Sequence, residues 1–368
     1  MRKRLMGLAL SLCLGVTVVG CSSSQGSGET TSPQTTTSAD DTGTSQTVNY
    51  SEGLDDNGHM TGITASDYIT LGTYKGMTYT KSEVEPTDED IQEEIDAILE
   101  EHTTTNQLTE GTIEDGTAVN IDYTGYVNDE AFDGGSTEGA GTTVTIGTTN
   151  YIDGFLEQLI GHKPSDEFSI NVTFPEDYGN EELNGKEARF DIKINYIVEE
   201  VVPEFNDEFV KENIEGYETA DAYREYIRES IKTYNMKNQL WSELVENTTF
   251  NSYPEDMKTI MVEREMSSFE SYLSIYGMTL EDYYTAQGTT EEEFATQVEE
   301  TVVQMLEQNL VGQGIAEAEG FTVEEADLIE YVGEDYENQI TTYGQGYVYQ
   351  FVLIQKAAQF LVDNAVEG

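Results

Sequence analysis

Cysteine, histidine and basic side chains are scarce in this sequence of 368 residues. Two cysteines and three histidines supply too few ligands and thiols for zinc sites, thiol catalysis or a disulfide framework. Lys and Arg total 17 against 72 Asp and Glu, a formal net charge of −55. So acidic a surface repels phosphate backbones, and we therefore expect no nucleic-acid partner. A carboxylate-based site, a binding pocket or a chaperone-like surface is compatible with this composition.

Long apolar runs are also scarce, and the one at the N-terminus has the anatomy of a secretory signal. Basic residues at 2–4 precede an apolar run over 5–19, which is short for a transmembrane helix. The run ends at Val18-Val19-Gly20-Cys21, which resembles the lipobox of bacterial lipoproteins. This resemblance implies cleavage before Cys21, lipidation of its sulfur, and anchoring on the extracytoplasmic face of the cell membrane. The alternative is an ordinary signal peptide with an incidental cysteine.

Composition divides the remaining chain. Residues 21–63 are rich in Ser, Thr, Gly, Gln and Asp, which predicts a disordered tether after the signal peptide of 1–20. Residues 64–112 contain short strands and one amphipathic helix, and we expect them to pack with the C-terminal domain. In 113–200 short apolar alternations predict an antiparallel sheet, interrupted by a short helix over Gly154–Leu159. From 201 to 368 the pattern is helical, with Gly277, Gly288 and Gly320 as breaks. The predicted fold class is α+β.

Five sequence blocks occur in order within residues 117–198. They are DYTG (122–125), FDGG (132–135), IDGFLEQLIGHK (152–163), TFPEDYG (173–179) and RFDIKI (189–194). Together they resemble the FKBP-type peptidyl-prolyl cis/trans isomerase domain in the form found in trigger factor. The resemblance implies a small antiparallel half-barrel at 113–200.

The flanking regions extend this resemblance. Residues 66–112 resemble the trigger factor linker, and VPEFNDEFVKENI at 202–214 resembles the junction into its helical domain. Residues 201–368 are therefore expected to form an all-α domain like the chaperone domain of trigger factor or SurA. The ribosome-docking domain of that family has no counterpart here, and the resemblance accordingly implies no ribosome partner.

The family resemblance also implies a dry aromatic bowl that binds proline. By residue-to-residue match, Phe155 forms its floor, while the Ile152 N–H and the Tyr178 hydroxyl hold substrate carbonyls. Asp133 stands at the rim, oriented by Tyr123, and polarises the substrate. These four (Asp133, Tyr178, Phe155 and Ile152) are the expected catalytic residues, and the expected substrate-binding residues are Tyr123, Phe132, Tyr151, Phe174 and Phe190. The alternative is that the rings are only the core of a small barrel.

Such a bowl needs neither a cofactor nor a metal, and we expect none. The expected partners are unfolded or nascent secreted polypeptides that contain proline. The helical part has many aromatic and methionine residues, which either pack the helices or form a surface for unfolded chains. They are Tyr223, Tyr226, Tyr234, Trp241, Phe250, Met257, Met261, Met266, Phe269, Tyr272, Tyr276 and Met278.

Two further functions remain open at this point. One is a non-catalytic holdase or adaptor lipoprotein with a silent isomerase domain. The other is a solute-binding lipoprotein, which would need two similar α/β lobes and is disfavoured by the helical C-terminal half.

Overall fold

A computed structural model describes residues 48–368. The predicted signal peptide, the predicted lipidation site at Cys21 and residues 21–47 of the predicted tether lie outside the described residues. Over the described range no helix is long and apolar enough to cross a bilayer.

The described residues contain ten β-strands, numbered here in chain order. They are β1 (Ile69–Thr70), β2 (Thr78–Tyr79), β3 (Thr104–Leu108), β4 (Ala118–Val127), β5 (Glu130–Ser136), β6 (Thr142–Thr145), β7 (Glu167–Thr173), β8 (Glu187–Val201), β9 (Thr249–Phe250) and β10 (Val366–Glu367).

The α-helices are numbered in the same way. They are α1 (Lys81–Val84), α2 (Asp88–Glu101), α3 (Asp207–Asn213), α4 (Ala220–Asn247), α5 (Glu255–Ile275), α6 (Leu280–Gln287), α7 (Glu291–Glu319), α8 (Glu325–Tyr331), α9 (Tyr336–Tyr343) and α10 (Gln345–Asp363). Two 3₁₀ turns, Ala65–Asp67 and Glu157–Leu159, complete the set.

Two compact units divide the chain. The sheet unit spans 88–224, and among the described residues the helical unit combines 48–87 with 225–368. Of the segment 64–112, which we expected to pack with the C-terminal helices, residues 64–87 group with those helices and residues 88–112 group with the sheet. In the second part, β3 pairs antiparallel with β8, Thr104 opposite Val201.

An antiparallel sheet of six strands forms the sheet unit. Its order is β3-β8-β4-β5, with β6 paired to β4 and β7 paired to β8. In β8 the buried residues Phe190, Ile192 and Ile194 alternate with more exposed neighbours, as the period-two pattern predicts. The other face of the sheet carries polar side chains. The α+β architecture predicted from the sequence is therefore confirmed.

The expected helix over Gly154–Leu159 is only a 3₁₀ turn at Glu157–Leu159. Gly154 has a φ of +82°, which a right-handed α-helix does not contain. The helix prediction was therefore wrong at this point, and the preceding residues 151–155 form a turn.

The long helix α7 lies in the core of the helical unit. Thr290 and Glu293 form a capping box at its start, and Gly320 ends it in the left-handed conformation. Val302, Leu306 and Leu310 are buried along its length. A Cβ at Gly312 would lie 2.7 Å from Cγ1 of Ile354 in α10, so this glycine permits close helix–helix contact.

Ordered structure begins earlier than the predicted end of the tether at residue 63. Met60 is buried in the core of the helical unit, and its N–H donates to Oε1 of Gln313 at 2.9 Å. Ser51 accepts the N–H of Tyr347 at 3.1 Å. Residues 48–63 are thus part of the helical unit, because the side chain of Gln313 and the backbone N–H of Tyr347 bind the backbone of Met60 and the hydroxyl of Ser51.

The aromatic and methionine residues of the helical unit fall into two groups. Met257, Met261 and Phe269 are buried in the core. Tyr234 and Tyr276 are exposed. Packing of the helical core therefore explains the buried aromatic and methionine residues, but it does not explain the exposed tyrosines.

Candidate functional site

The inner face of β4 and β8 supplies the first two rings of the candidate site. Tyr123 lies opposite Ile192 and Gly125 lies opposite Phe190 in the strand register. Because side chains alternate along a strand, Tyr123 and Phe190 point to the same buried face. Their ring centroids are 5.8 Å apart in an edge-to-face arrangement.

Phe155 is the floor of this cluster. Its side chain is 1% exposed, and its ring lies 5.6 Å from Tyr123, 4.9 Å from Tyr151 and 5.0 Å from Phe190. Tyr151 itself is half-buried. One buried ring therefore contacts three others, with Tyr123 and Tyr151 partly open to solvent.

Phe132 extends the cluster along β5. It is 5.9 Å from Phe190 and 5.8 Å from Phe174, both edge to face. Phe174 is in turn 4.7 Å from Tyr178, whose side chain is 48% exposed. The structure thus brings together all seven aromatic residues that the sequence predicted for the site.

Two glycines make room for Phe132. A Cβ at Gly125 would lie 2.7 Å from Cε1 and Cζ of Phe132, and a Cβ at Gly135 would lie 2.5 Å from Cε2. Real Cβ atoms do not approach so closely, so any larger residue displaces the ring. Neither glycine was predicted as a site residue, although both lie within the DYTG and FDGG blocks.

The turn at 151–155 presents the Ile152 backbone. The N–H of Phe155 donates to the carbonyl of Ile152 at 2.9 Å, whereas no hydrogen bond of the described residues uses the N–H of Ile152. Gln158 Nε2 holds the turn by donating to the carbonyls of Gly154 (2.5 Å) and Asn171 (3.0 Å). The N–H of Ile152 therefore has no partner among the described residues, and its role in holding a substrate carbonyl stays a prediction. Gln158 is a supporting residue that the sequence reasoning missed.

Asp133 is exposed beside Phe132. Tyr123 was expected to orient it, but within residues 48–368 no hydrogen bond joins the two side chains. Burial raises the pKa of Tyr123 to about 12, and a hydrogen bond with Tyr151 contributes further. The predicted orientation of Asp133 by Tyr123 was therefore wrong, since the neighbour of the Tyr123 hydroxyl is another phenol.

A hollow of about 590 Å³ lies on the opposite, polar face of the sheet, lined among others by Asp122, Thr137 and Asp191. Tyr123 of the ring cluster also contributes to its lining, together with polar residues such as Ser169 and Lys193. In the described part of the chain no group of three His, Cys, Asp or Glu side chains is placed to hold a metal ion.

Two family models match the chain. The model of FKBP-type peptidyl-prolyl cis-trans isomerase covers residues 109–195, and that of the bacterial trigger factor C-terminus covers residues 219–363. The first contains the whole ring cluster. The second contains most of the helical unit.

Curated relatives extend the match across both units. The trigger factor of Macrococcus caseolyticus is 36% identical over 320 residues, which cover 83% of this chain and 74% of the relative. Those of Bacillus cytotoxicus (34% over 317 residues) and Acetivibrio thermocellus (30% over 320 residues) each cover 82% of this chain and 74% of the relative.

A solved trigger factor chaperone structure covers 80% of this chain and 72% of its own at 17% identity. Its TM-score of 0.39 is too low to support an argument about the fold. The assignment therefore rests on the sequence matches, and on them the chain belongs to the trigger factor family and carries an FKBP-type peptidyl-prolyl cis/trans isomerase domain.

Proposed function

We propose that this chain is a lipid-anchored folding factor on the extracytoplasmic face of the cell membrane. It isomerises prolyl bonds in unfolded or nascent secreted polypeptides and binds their apolar segments. The observation that carries the location is the N-terminal sequence, a basic start and a short apolar run that ends at Gly20-Cys21. The net charge of −55 supports action without ribosome or nucleic acid, because it opposes approach to RNA phosphates.

The isomerase reaction needs a site that favours a twisted amide. Resonance between carbonyl and nitrogen gives the peptide bond a barrier of about 18–20 kcal/mol. At the twisted midpoint this resonance is lost and the amide is less dipolar. A water-poor cup of rings therefore stabilises the twisted form relative to the planar one, which is differential binding of the transition state.

Each element of the proposed FKBP-type half-barrel contributes to that cup. Phe155 is the floor against which the proline ring packs, and Phe132 and Tyr151 form walls. The free N–H of Ile152 and the exposed hydroxyl of Tyr178 hold substrate carbonyls, which keeps the chain in place while the prolyl bond turns. These contacts hold the substrate on both sides of the prolyl peptide bond and leave that bond free to rotate.

Capture of unfolded chains falls to the helical unit. Tyr272, Ile275 and Tyr276 lie exposed at the C-terminal end of α5, with side-chain exposures of 47%, 76% and 65%. Carboxylates flank them in sequence at Glu270 and Glu281. Exposed rings among carboxylates offer weak apolar contacts while repulsion keeps copies of the protein apart. Capture then raises the local concentration of prolyl bonds near the isomerase.

Location is tested with the full chain expressed in bacteria from its native N-terminus. Wild type should fractionate with membranes, incorporate labelled fatty acid and be digested by protease added outside the cytoplasmic membrane. Cys21→Ser should lose the label, while Ser22→Ala should keep it as the matched control. An unlabelled wild-type chain in the cytoplasmic fraction contradicts the proposal.

The roles of the site residues are tested with a protease-coupled cis/trans assay on a proline tetrapeptide. Asp133→Ala should lower kcat/KM without loss of stability, because this side chain is exposed. Asp177→Ala, an exposed carboxylate beside Tyr178, is the matched control and should be neutral. Equal effects of the two substitutions would exclude a specific role for Asp133.

A further inference from the structure

The FDGG block leaves the regular sheet as a bulge. Thr124 pairs with Ser136 and Tyr126 pairs with Ala131, so Gly125 alone faces the four residues 132–135. This bulge carries Phe132, whose ring contacts the cluster, and the exposed Asp133. Because ladder hydrogen bonds do not hold the residues of a bulge, their position depends on how its two ends are fastened.

Thr137 fastens the C-terminal end of the bulge to β4. Its N–H donates to the carbonyl of Tyr123 at 3.1 Å, and its hydroxyl accepts the N–H of Tyr123 at 3.2 Å. The same hydroxyl donates to Oδ1 of Asp122 at 2.8 Å. Thr137 thus completes three hydrogen bonds with two consecutive residues of β4, two positions after Gly135.

Asp122 is held in place from three directions, on the face of the sheet opposite the rings. Besides Thr137, the N–H of Gly141 donates to its Oδ1 at 3.0 Å and Nδ2 of Asn195 donates to its Oδ2 at 2.9 Å. These hydrogen bonds, that of Asn195 first, hold the pKa of Asp122 below its usual value despite some opposing burial. The carboxylate therefore stays charged and keeps its donors.

Asn195 reaches Asp122 because of a second irregularity in the sheet. Asn120 pairs with Tyr196 and Ile121 pairs with Ile194, which leaves Asn195 as an extra residue of β8. Its Nδ2 also donates to Oδ1 of Asn120 at 2.9 Å. Two bulges on two strands are in this way joined through one carboxylate.

We propose that Asp122 and Thr137 form a clamp that positions the bulge at 132–135 on the isomerase pocket. Both are positioning residues, since they act through the backbone of Tyr123 and the bulge without touching the substrate. The proposal rests on the isomerase activity of the ring cluster. Pocket residues need supporting hydrogen bonds of this kind, because small displacements of a wall reduce catalysis strongly.

The clamp is tested in the full chain with paired substitutions. Thr137→Val removes the hydroxyl at nearly constant shape, and Thr137→Ser restores it. Asp191→Asn is the matched control. This carboxylate lies on β8 in the same polar hollow and accepts hydrogen bonds from Ser169 (2.7 Å) and Arg189 (2.8 Å), neither of which belongs to the bulge. Activity is measured at a temperature at which circular dichroism shows every variant folded.

Thr137→Val should lower kcat/KM about five- to tenfold, because the hydroxyl group's hydrogen bonds with Tyr123 and Asp122 are lost. Thr137→Ser should recover most of the activity. Asp122→Asn should act in the same direction, and the double variant should be less than additive. A fluorinated phenylalanine at position 132 should change its ¹⁹F resonance in Thr137→Val and keep it in Asp191→Asn.

Wild-type activity together with an unchanged ¹⁹F resonance in folded Thr137→Val would overturn the clamp, and so would an equal loss in Asp191→Asn. An inactive wild-type chain would instead count against the isomerase pocket itself. The ¹⁹F spectra would then decide whether the clamp still sets the position of Phe132.

Discussion

Gly125→Ala should damage the isomerase pocket through a single methyl group. The added Cβ would lie 2.6 Å from Cε1 of Phe190 and 2.7 Å from Cε1 of Phe132. Gly125 does not have a positive φ, so alanine is compatible with its backbone. The whole effect of the substitution therefore comes from the two rings.

The size of the effect follows from contact distances. Carbon atoms pack at about 3.5–4.0 Å, so the two rings must retreat by about 1 Å. Overpacking of this kind costs about 1–3 kcal/mol of stability. A displacement of about 1 Å in a catalytic site can reduce activity by about 100-fold. We expect kcat/KM to fall by at least about tenfold, because the rings can share the movement.

Gly116→Ala is the matched control in the same unit. Gly116 has a φ of +79°, and a Cβ there would meet nothing within 4 Å. Its cost is backbone strain of about 1–2 kcal/mol, without any contact with the rings. Both variants should thus destabilise the sheet unit to a similar degree, and only Gly125→Ala should lose activity.

The assay is prolyl isomerisation of a tetrapeptide, combined with hydrogen exchange of the amides in β4 and β8 to report stability. The single tryptophan, Trp241, lies in α4 of the helical unit, so its fluorescence should be unchanged in both variants. Full activity in Gly125→Ala, or equal losses in both variants, would refute the packing argument.

Three further outcomes are expected. Phe155→Ala removes a ring that is 1% exposed, so it should cost about 3–5 kcal/mol and abolish isomerisation, measured by hydrogen exchange and the peptide assay. Gln313→Leu removes the hydrogen bonds to the N–H of Met60 (2.9 Å) and the carbonyl of Ile63 (2.8 Å). This substitution should destabilise the helical unit by about 1–3 kcal/mol. Residues 48–63 should then become sensitive to proteolysis, while isomerase activity stays unchanged. The pKa of Tyr123 is raised from 10.0 to about 12. The folded state therefore keeps this proton to a higher pH than the unfolded state does, and the free energy of unfolding should fall as pH rises from 10 to 12. Tyr151→Phe should lower the pKa of Tyr123, which ultraviolet absorbance of the phenolate can follow.

The ring cluster was predictable from the sequence because six of its seven residues lie in five local blocks, and Tyr151 directly precedes one of them. Phe155 and Phe190 could be placed on one buried face from alternation and family resemblance alone. The hydrogen bond partner of Tyr123 could not be predicted in this way. Asp133 and Tyr151 are both close to it in the family pattern, and the choice between them depends on side-chain directions that strand periodicity does not contain.

Boundaries were predictable where the signal is local. Thr290 and Gly320 mark the ends of α7 through capping chemistry that involves only neighbouring residues. The start of the ordered chain was not predictable, because the composition of 48–63 is that of a tether. Its order comes from Gln313 and Tyr347, which lie more than 250 residues away.

The amino-acid sequence by itself determined the α+β class, the sheet and helical regions, the family and the set of aromatic residues at the site. These follow from periodicity, turn chemistry and motif order, all of which act over a few residues. Only the tertiary structure decided which glycines give Phe132 its space, which carboxylate holds the bulge, and which segment completes the helical core. Each of these depends on contacts between different strands, turns or helices, and such contacts arise only once those elements have packed.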